Sequence, residues 1–142
     1  MKKHDNHNEH FYVMFFIMIL AGSLSSMNNW ANNFSDIRFS LNDIYMIFLM
    51  TGYMLLFMGI YYKNLYGFII GLLLVILNFL AIRNQFMISE EQYLLGMIPH
   101  HSMAILMSKK LMFKKNNIND LLNDIIDNQE DEINYMKSKL SK

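Results

Sequence analysis

The stretch that decides the fold is Ile44 to Ile82, IYMIFLMTGYMLLFMGIYYKNLYGFIIGLLLVILNFLAI. It holds two uncharged runs, 44–62 and 65–82, separated only by Lys63 and Asn64. Each run approaches the roughly 20 apolar residues needed to cross a hydrocarbon core. Neither carries the polar stripe that a helix on a soluble core keeps toward water. Two spans joined by two residues must run antiparallel. Gly67 and Gly71 give a GxxxG spacing, which permits close helix approach but also arises by chance.

A third run of the same kind lies upstream, FYVMFFIMILAGSLSSM at 11–27. The expectation is therefore a membrane domain over 1–83 with spans at about 11–27, 44–62 and 65–82. The first run also has a basic start and small residues at Ser23 to Ser26, so a cleaved signal peptide is the competing reading. In both cases the second span leaves the C-terminal third on the same side. Lys2, Lys3 and Lys63 fall on one side, and Arg38 and Arg83 on the other with the C-terminal third. The positive-inside rule then puts the N-terminus inside and the C-terminal third outside the cytoplasm. This suggests a multi-pass protein of a bacterial inner membrane with a periplasmic or extracellular C-terminal domain. Tyr61, Tyr62 and Tyr66 at one face, and Trp30 and Tyr45 at the other, suit aromatic belts. Residues 28–43 read as an interfacial connector.

Composition excludes several classes. Lys plus Arg and Asp plus Glu each number 12, so no basic surface points to nucleic acid. The chain has no cysteine, which removes disulfides, thiolate metal sites and cysteine nucleophiles. Its 14 methionines suit lipid-facing and gap-filling roles and also supply thioether sulfur. His4, His7 and His10 share a spacing of three in the N-terminal tail. They form a possible metal-binding face or, more simply, a solvated polar cap.

The polar third, 84–142, reads as an antiparallel helical hairpin. Ser89-Glu90-Glu91-Gln92 has the form of a capping box, so a helix should start there and run to about Phe113. Lys109, Lys110, Lys114 and Lys115 at its end suit the helix dipole. Asn116 and Asn117 make the turn, and a second helix follows from about Ile118 to Leu140. Pro99 sits inside the first helix and predicts a kink or restart near 96–99.

Met97-Ile98-Pro99-His100-His101 is the chemically distinctive segment. On a wheel centred on His100, Met97, Met103, Met107 and His101 all fall within about 100° of it. Both histidines and the three methionines then border one apolar arc facing the second helix. That helix has an apolar stripe of Ile118, Leu122, Ile125, Ile126, Ile133, Met136 and Leu140, with Gln129 in its centre and Glu132 at its edge. Buried Gln and Glu need partners, and imidazoles opposite would provide them. Imidazole plus thioether without thiolate suits Cu(I) or Ag(I). The same methionines at helical spacing also read simply as core, with the histidines satisfied by hydrogen bonds. No Glu-x-x-His pair supports di-iron chemistry. Ser102 beside His101 lacks the geometry of a nucleophile and base, so the chain reads as non-enzymatic.

GMIPHHSMAILMSKKL at 96–111 and IIDNQEDEINYM at 125–136 resemble the domain of unknown function 305 family, including its CopM-like members. The matching residues are Met97, Ile98, Pro99, His100, His101, Ala104, Ile105 and Met107, then Gln129, Glu132, Ile133 and Met136. The preceding spans resemble a membrane-bound branch of that family. The resemblance implies an all-α, ferritin-like hairpin and copper or silver binding outside the cytoplasm. It points to Met97, His100, His101, Met103, Met107 and Met136 as ligands, with Gln129 and Glu132 supporting them. A different class of role is a non-catalytic interaction module, in which two hairpins pair into a four-helix bundle. The partners expected are thus the lipid bilayer and a second copy of the chain.

Overall fold

The computed structural model describes residues 5–141, with side chains described from Tyr12 onward. His4 and the side chains of His7 and His10 lie outside the described residues. Among those described there are five α-helices and no strand. They are α1 (Asp5–Leu24), α2 (Leu41–Tyr61), α3 (Leu65–Arg83), α4 (Glu90–Met112) and α5 (Asn119–Leu140). Two 3-10 turns, Met27–Trp30 and Phe34–Asp36, lie between α1 and α2. The chain divides into two compact units. One is Met1–Ser26 with Asn42–Met87, and the other is Met27–Leu41 with Ile88–Lys142.

Three segments, Tyr12–Trp30, Leu41–Tyr61 and Leu65–Arg83, are long and apolar enough to cross a membrane. The turn between α2 and α3 works because Lys63 adopts a left-handed φ of 53°. Asn64 then caps α3, its Oδ1 accepting from the N–H groups of Tyr66 and Gly67 at 3.1 and 3.2 Å. Three glycines set the approach of α2 to α3. A Cβ at Gly71 would lie 2.4 Å from the Leu56 nitrogen, and one at Gly59 would lie 2.4 Å from the Phe68 nitrogen. One at Gly52 would lie 2.9 Å from the Leu74 Cβ. The GxxxG spacing of α3 thus includes a true contact at Gly71, and its counterparts Gly52 and Gly59 sit seven apart on α2. Thr51 and Asn78 return their polar groups to the carbonyls of Ile47 and Leu74, each at 2.8 Å.

In the second unit, Ser89 caps α4 by accepting from the Gln92 N–H at 3.3 Å. Gln92 does not reciprocate as a capping box would. Its Oε1 instead accepts from the Leu41 N–H at 2.7 Å, tying the connector to α4. α4 runs without a restart from Glu90 to Met112 through Pro99. α5 packs on it through Ile98, Ile105, Ile133 and Met136, with Leu94, Met97, Ile126 and Leu140 around them.

The connector is part of this unit. It covers a second face of α4, where Pro99 and Ser102 are fully buried. Gly96 makes room there, since its Cβ would lie 3.2 Å from the Ser40 hydroxyl. The hairpin therefore has a third wall, made of two 3-10 turns rather than a helix. That wall supplies part of the cover that a two-helix reading seeks in a second hairpin.

Candidate functional site

The apolar seam of α4 is centred on Ile98, His101 and Ile105, not on His100. The recurrence Leu94, Ile98, His101, Ile105, Ser108 alternates steps of four and three, the period of a buried helical stripe. His101 is inside this seam, with its side chain 12% exposed. Its Nδ1 lies 3.0 Å from Oε2 of Glu132 on α5. The alignment falls short of a hydrogen bond, so this buried nitrogen has an electrostatic partner but no directed bond. Burial pushes the His101 pKa below the usual 6.5. The nearby Glu132 carboxylate opposes that shift and His100 adds to it, and the net direction is down. Glu132 itself stays at the rim, 56% exposed.

The other expected ligands separate. Met136 is buried and Met97 packs against the same cluster, so both share the seam with His101. His100 is exposed, its ring centroid 6.0 Å from that of His101. Met107 is 62% exposed and Met103 is half-buried; neither belongs to the seam cluster. A wheel centred on His100 is rotated by about one residue from the seam found, which accounts for this difference. Gln129 is half-buried on α5. The structure thus joins His101, Glu132, Met97 and Met136 along one interface and leaves His100, Met103 and Met107 off it. Among the described residues, no three His, Asp or Glu side chains converge as a metal cage. An open cavity beside Arg38, Glu91, Leu95 and Lys137 includes neither histidine in its lining.

A second polar constellation lies beside the seam, on the connector face of α4. The Ser102 hydroxyl donates to Asp36 Oδ2 at 2.6 Å and accepts from the Asn32 N–H at 2.8 Å. The Lys137 ammonium donates to Asp36 Oδ1. Asp36 is 1% exposed. Burial by itself raises its pKa, but the hydrogen bonds from Lys137 and Ser102 outweigh that and hold it below the usual 3.8. Sequence reasoning missed Asp36 and Ser102 as a pair. The available signal was the small-residue face Gly96, Pro99 and Ser102, three apart, which invites close packing by backbone.

The family model described as "Domain of unknown function (DUF305)" matches residues 82–140. An uncharacterized protein of Acanthamoeba polyphaga mimivirus is 45% identical over 140 residues, covering 94% of this chain and 92% of its own. That relative is viral and carries no pointer to a bacterial envelope. No solved structure matches. Since the likeness to the mimivirus protein runs over nearly the whole chain, the chain belongs to the same family as that protein, and its residues 82–140 are a DUF305 domain.

Proposed function

We propose that the α4–α5 hairpin is a membrane-anchored, non-catalytic binding site for a soft monovalent metal, Cu(I) or Ag(I). Sequestration or transfer of the ion is its role. The observation that carries this reading is His101 in the seam, its Nδ1 turned toward Glu132 and its flanks shared with Met97 and Met136. A histidine that presents one ring nitrogen to a carboxylate leaves the other for a metal. Thioether sulfur is the matching soft donor. Bound in the seam, the ion would be held by His101 Nε2 with Met97 and Met136, and His100 is the exposed imidazole through which an ion could enter or leave.

The test is a Cu(I) competition titration of the full chain in detergent micelles against a chromophoric chelator. His101→Ala is expected to lose tight binding, while His100→Ala weakens it less. Tight binding that survives in the variant lacking both histidines refutes the reading.

A second reading is favoured by the apolar side chains that the hairpin leaves exposed, Leu121, Tyr135 and Met107 among them. They suit pairing of two hairpins into a ferritin-like four-helix bundle. A metal-free full chain that stays monomeric at all concentrations excludes it.

A further inference from the structure

The turn between α4 and α5 carries an arrangement that neither the seam nor the metal reading uses. Its sequence is Lys109-Lys110-Leu111-Met112-Phe113-Lys114-Lys115, two lysine pairs bracketing three large apolar residues. A helix end accounts for lysines by its dipole. It does not account for Phe113, which is 86% exposed, or for Met112 and Ile118 exposed beside it. Lys109 is committed to Glu130 at 2.8 Å. Lys110, Lys114 and Lys115 pair with no carboxylate among the described residues.

We infer that this tip is a docking surface for an anionic lipid headgroup layer, with Phe113 inserting among the headgroups and the lysines resting on their charge. Clustered lysines are drawn to anionic leaflets, and an aromatic side chain among them gains from the interfacial region. The competing occupant is a second copy of the chain, because α5 carries an acidic stripe of Asp120, Asp124, Asp127 and Asp131. Those residues recur at four, three and four, and fall on the face of α5 turned from α4. Their neighbours Asn123, Asn128 and Asn134 are polar and exposed, and Leu121 and Tyr135 are the exposed apolar side chains on that side. A bilayer surface satisfies both halves of the tip. The acidic stripe would be repelled by the same layer, so contact is made tip first. This inference is independent of the metal reading.

The chain has no cysteine, so Asn117→Cys places a single environment-sensitive dye on the exposed turn. The labelled full chain is held in neutral phosphatidylcholine nanodiscs and mixed with vesicles containing phosphatidylserine. A second arm puts phosphatidylserine into the nanodisc itself. The dye is expected to shift to the blue in at least one arm and to return in about 1 M salt, where charge attraction is screened beyond roughly 3 Å. Lys110→Gln/Lys114→Gln/Lys115→Gln should need on the order of a hundredfold more anionic lipid for the same shift, with helicity unchanged by circular dichroism. Phe113→Ser should reduce the shift at saturating lipid. A dye that remains in water in both arms overturns the inference. So does a shift that grows with protein concentration without phosphatidylserine, which would assign the tip to a second copy.

Discussion

Lys137, near the end of α5, donates to Asp36 in the connector, 101 positions earlier in the chain. Ser102 of α4 holds the other carboxylate oxygen. One carboxylate thus joins three separate segments. Ser102 follows His101 and Lys137 follows Met136, so this joint lies one residue from two of the seam's metal-donor candidates. The joint fixes the rotation of α4 and α5 about their axes and so determines which side chains meet in the seam.

The first prediction concerns that joint. Removing one partner of a buried charge pair leaves the other uncompensated, at a cost of about 3–5 kcal/mol where burial is complete. Lys137 is 31% exposed, so the cost falls somewhat below that range. Asp36→Asn and Lys137→Met are each expected to destabilise the hairpin unit by about 2–3 kcal/mol. The double variant should lose less than the sum, because each single change strands the other's charge. Thermal unfolding of all four proteins, followed by helicity, reads this directly. Strict additivity would mean that the pair does not act as one.

Acid should weaken the hairpin unit in two separate windows. His101 has a folded-state pKa below its ordinary 6.5, so the unfolded chain takes the proton first as pH falls. Its contribution is complete above about 6.5 and declines below it. Asp36 is held below 3.8, so its contribution is present above that value and is lost as pH falls through the lowered pKa. Melting temperature should therefore fall gently from pH 7 to 5 and steeply below 4. His101→Gln should remove the first decline and leave the second, and Asp36→Asn should do the reverse. Melting curves across pH 3 to 8 separate the two.

Much of this architecture is legible in the sequence. The three uncharged runs mark the apolar helices because length and lack of charge act locally. The Ser89 cap and the Asn116-Asn117 turn also depend only on near neighbours. Placement of the seam is harder to read. Leu94, Ile98, Ile105 and Ser108 identify it once α5 is in position, but Met97, Met103 and Met107 blur the stripe by being apolar all round α4. The role of the connector is not legible at all. Asp36 and Ser102 meet through a fold-back of 66 positions, and no period in the sequence reports such a contact. Gln92 is similar, since its capping-box position hides a long-range bond to Leu41.

Gly71 offers a test inside the apolar hairpin. A Cβ there would meet the backbone of Leu56 and Gly52, neither of which can turn aside as a side chain can. Gly71→Ala is expected to push α2 from α3 and cost about 1–3 kcal/mol, the range for overpacking. Gly59→Ala should act similarly through the Phe68 backbone. Gly22→Ala should be milder, because its Cβ meets a side-chain methyl of Ile47 at 3.2 Å. Unfolding in mixed micelles of increasing denaturing detergent would rank the three. Gly22→Ala as the most damaging of them would show that α2 and α3 do not approach through their glycines.

The last prediction follows from the connector's place in the hairpin unit. A fragment of residues 84–142 keeps both helices and the DUF305 match but loses Asp36, Asn32 and Leu41. Ser102 would then lose both its hydrogen bonds, Gln92 its acceptor role, and Pro99 its cover. Each buried polar group left unsatisfied costs about 1–3 kcal/mol unless water reaches it, and a core of this size has little to spare. The fragment is expected to be partly unfolded near room temperature. A synthetic peptide of residues 27–41 added in trans should raise its melting temperature, and the same peptide with Asp36→Asn should not. A fragment that melts as high as the hairpin unit of the full chain would show that the connector lies on α4 without supporting it.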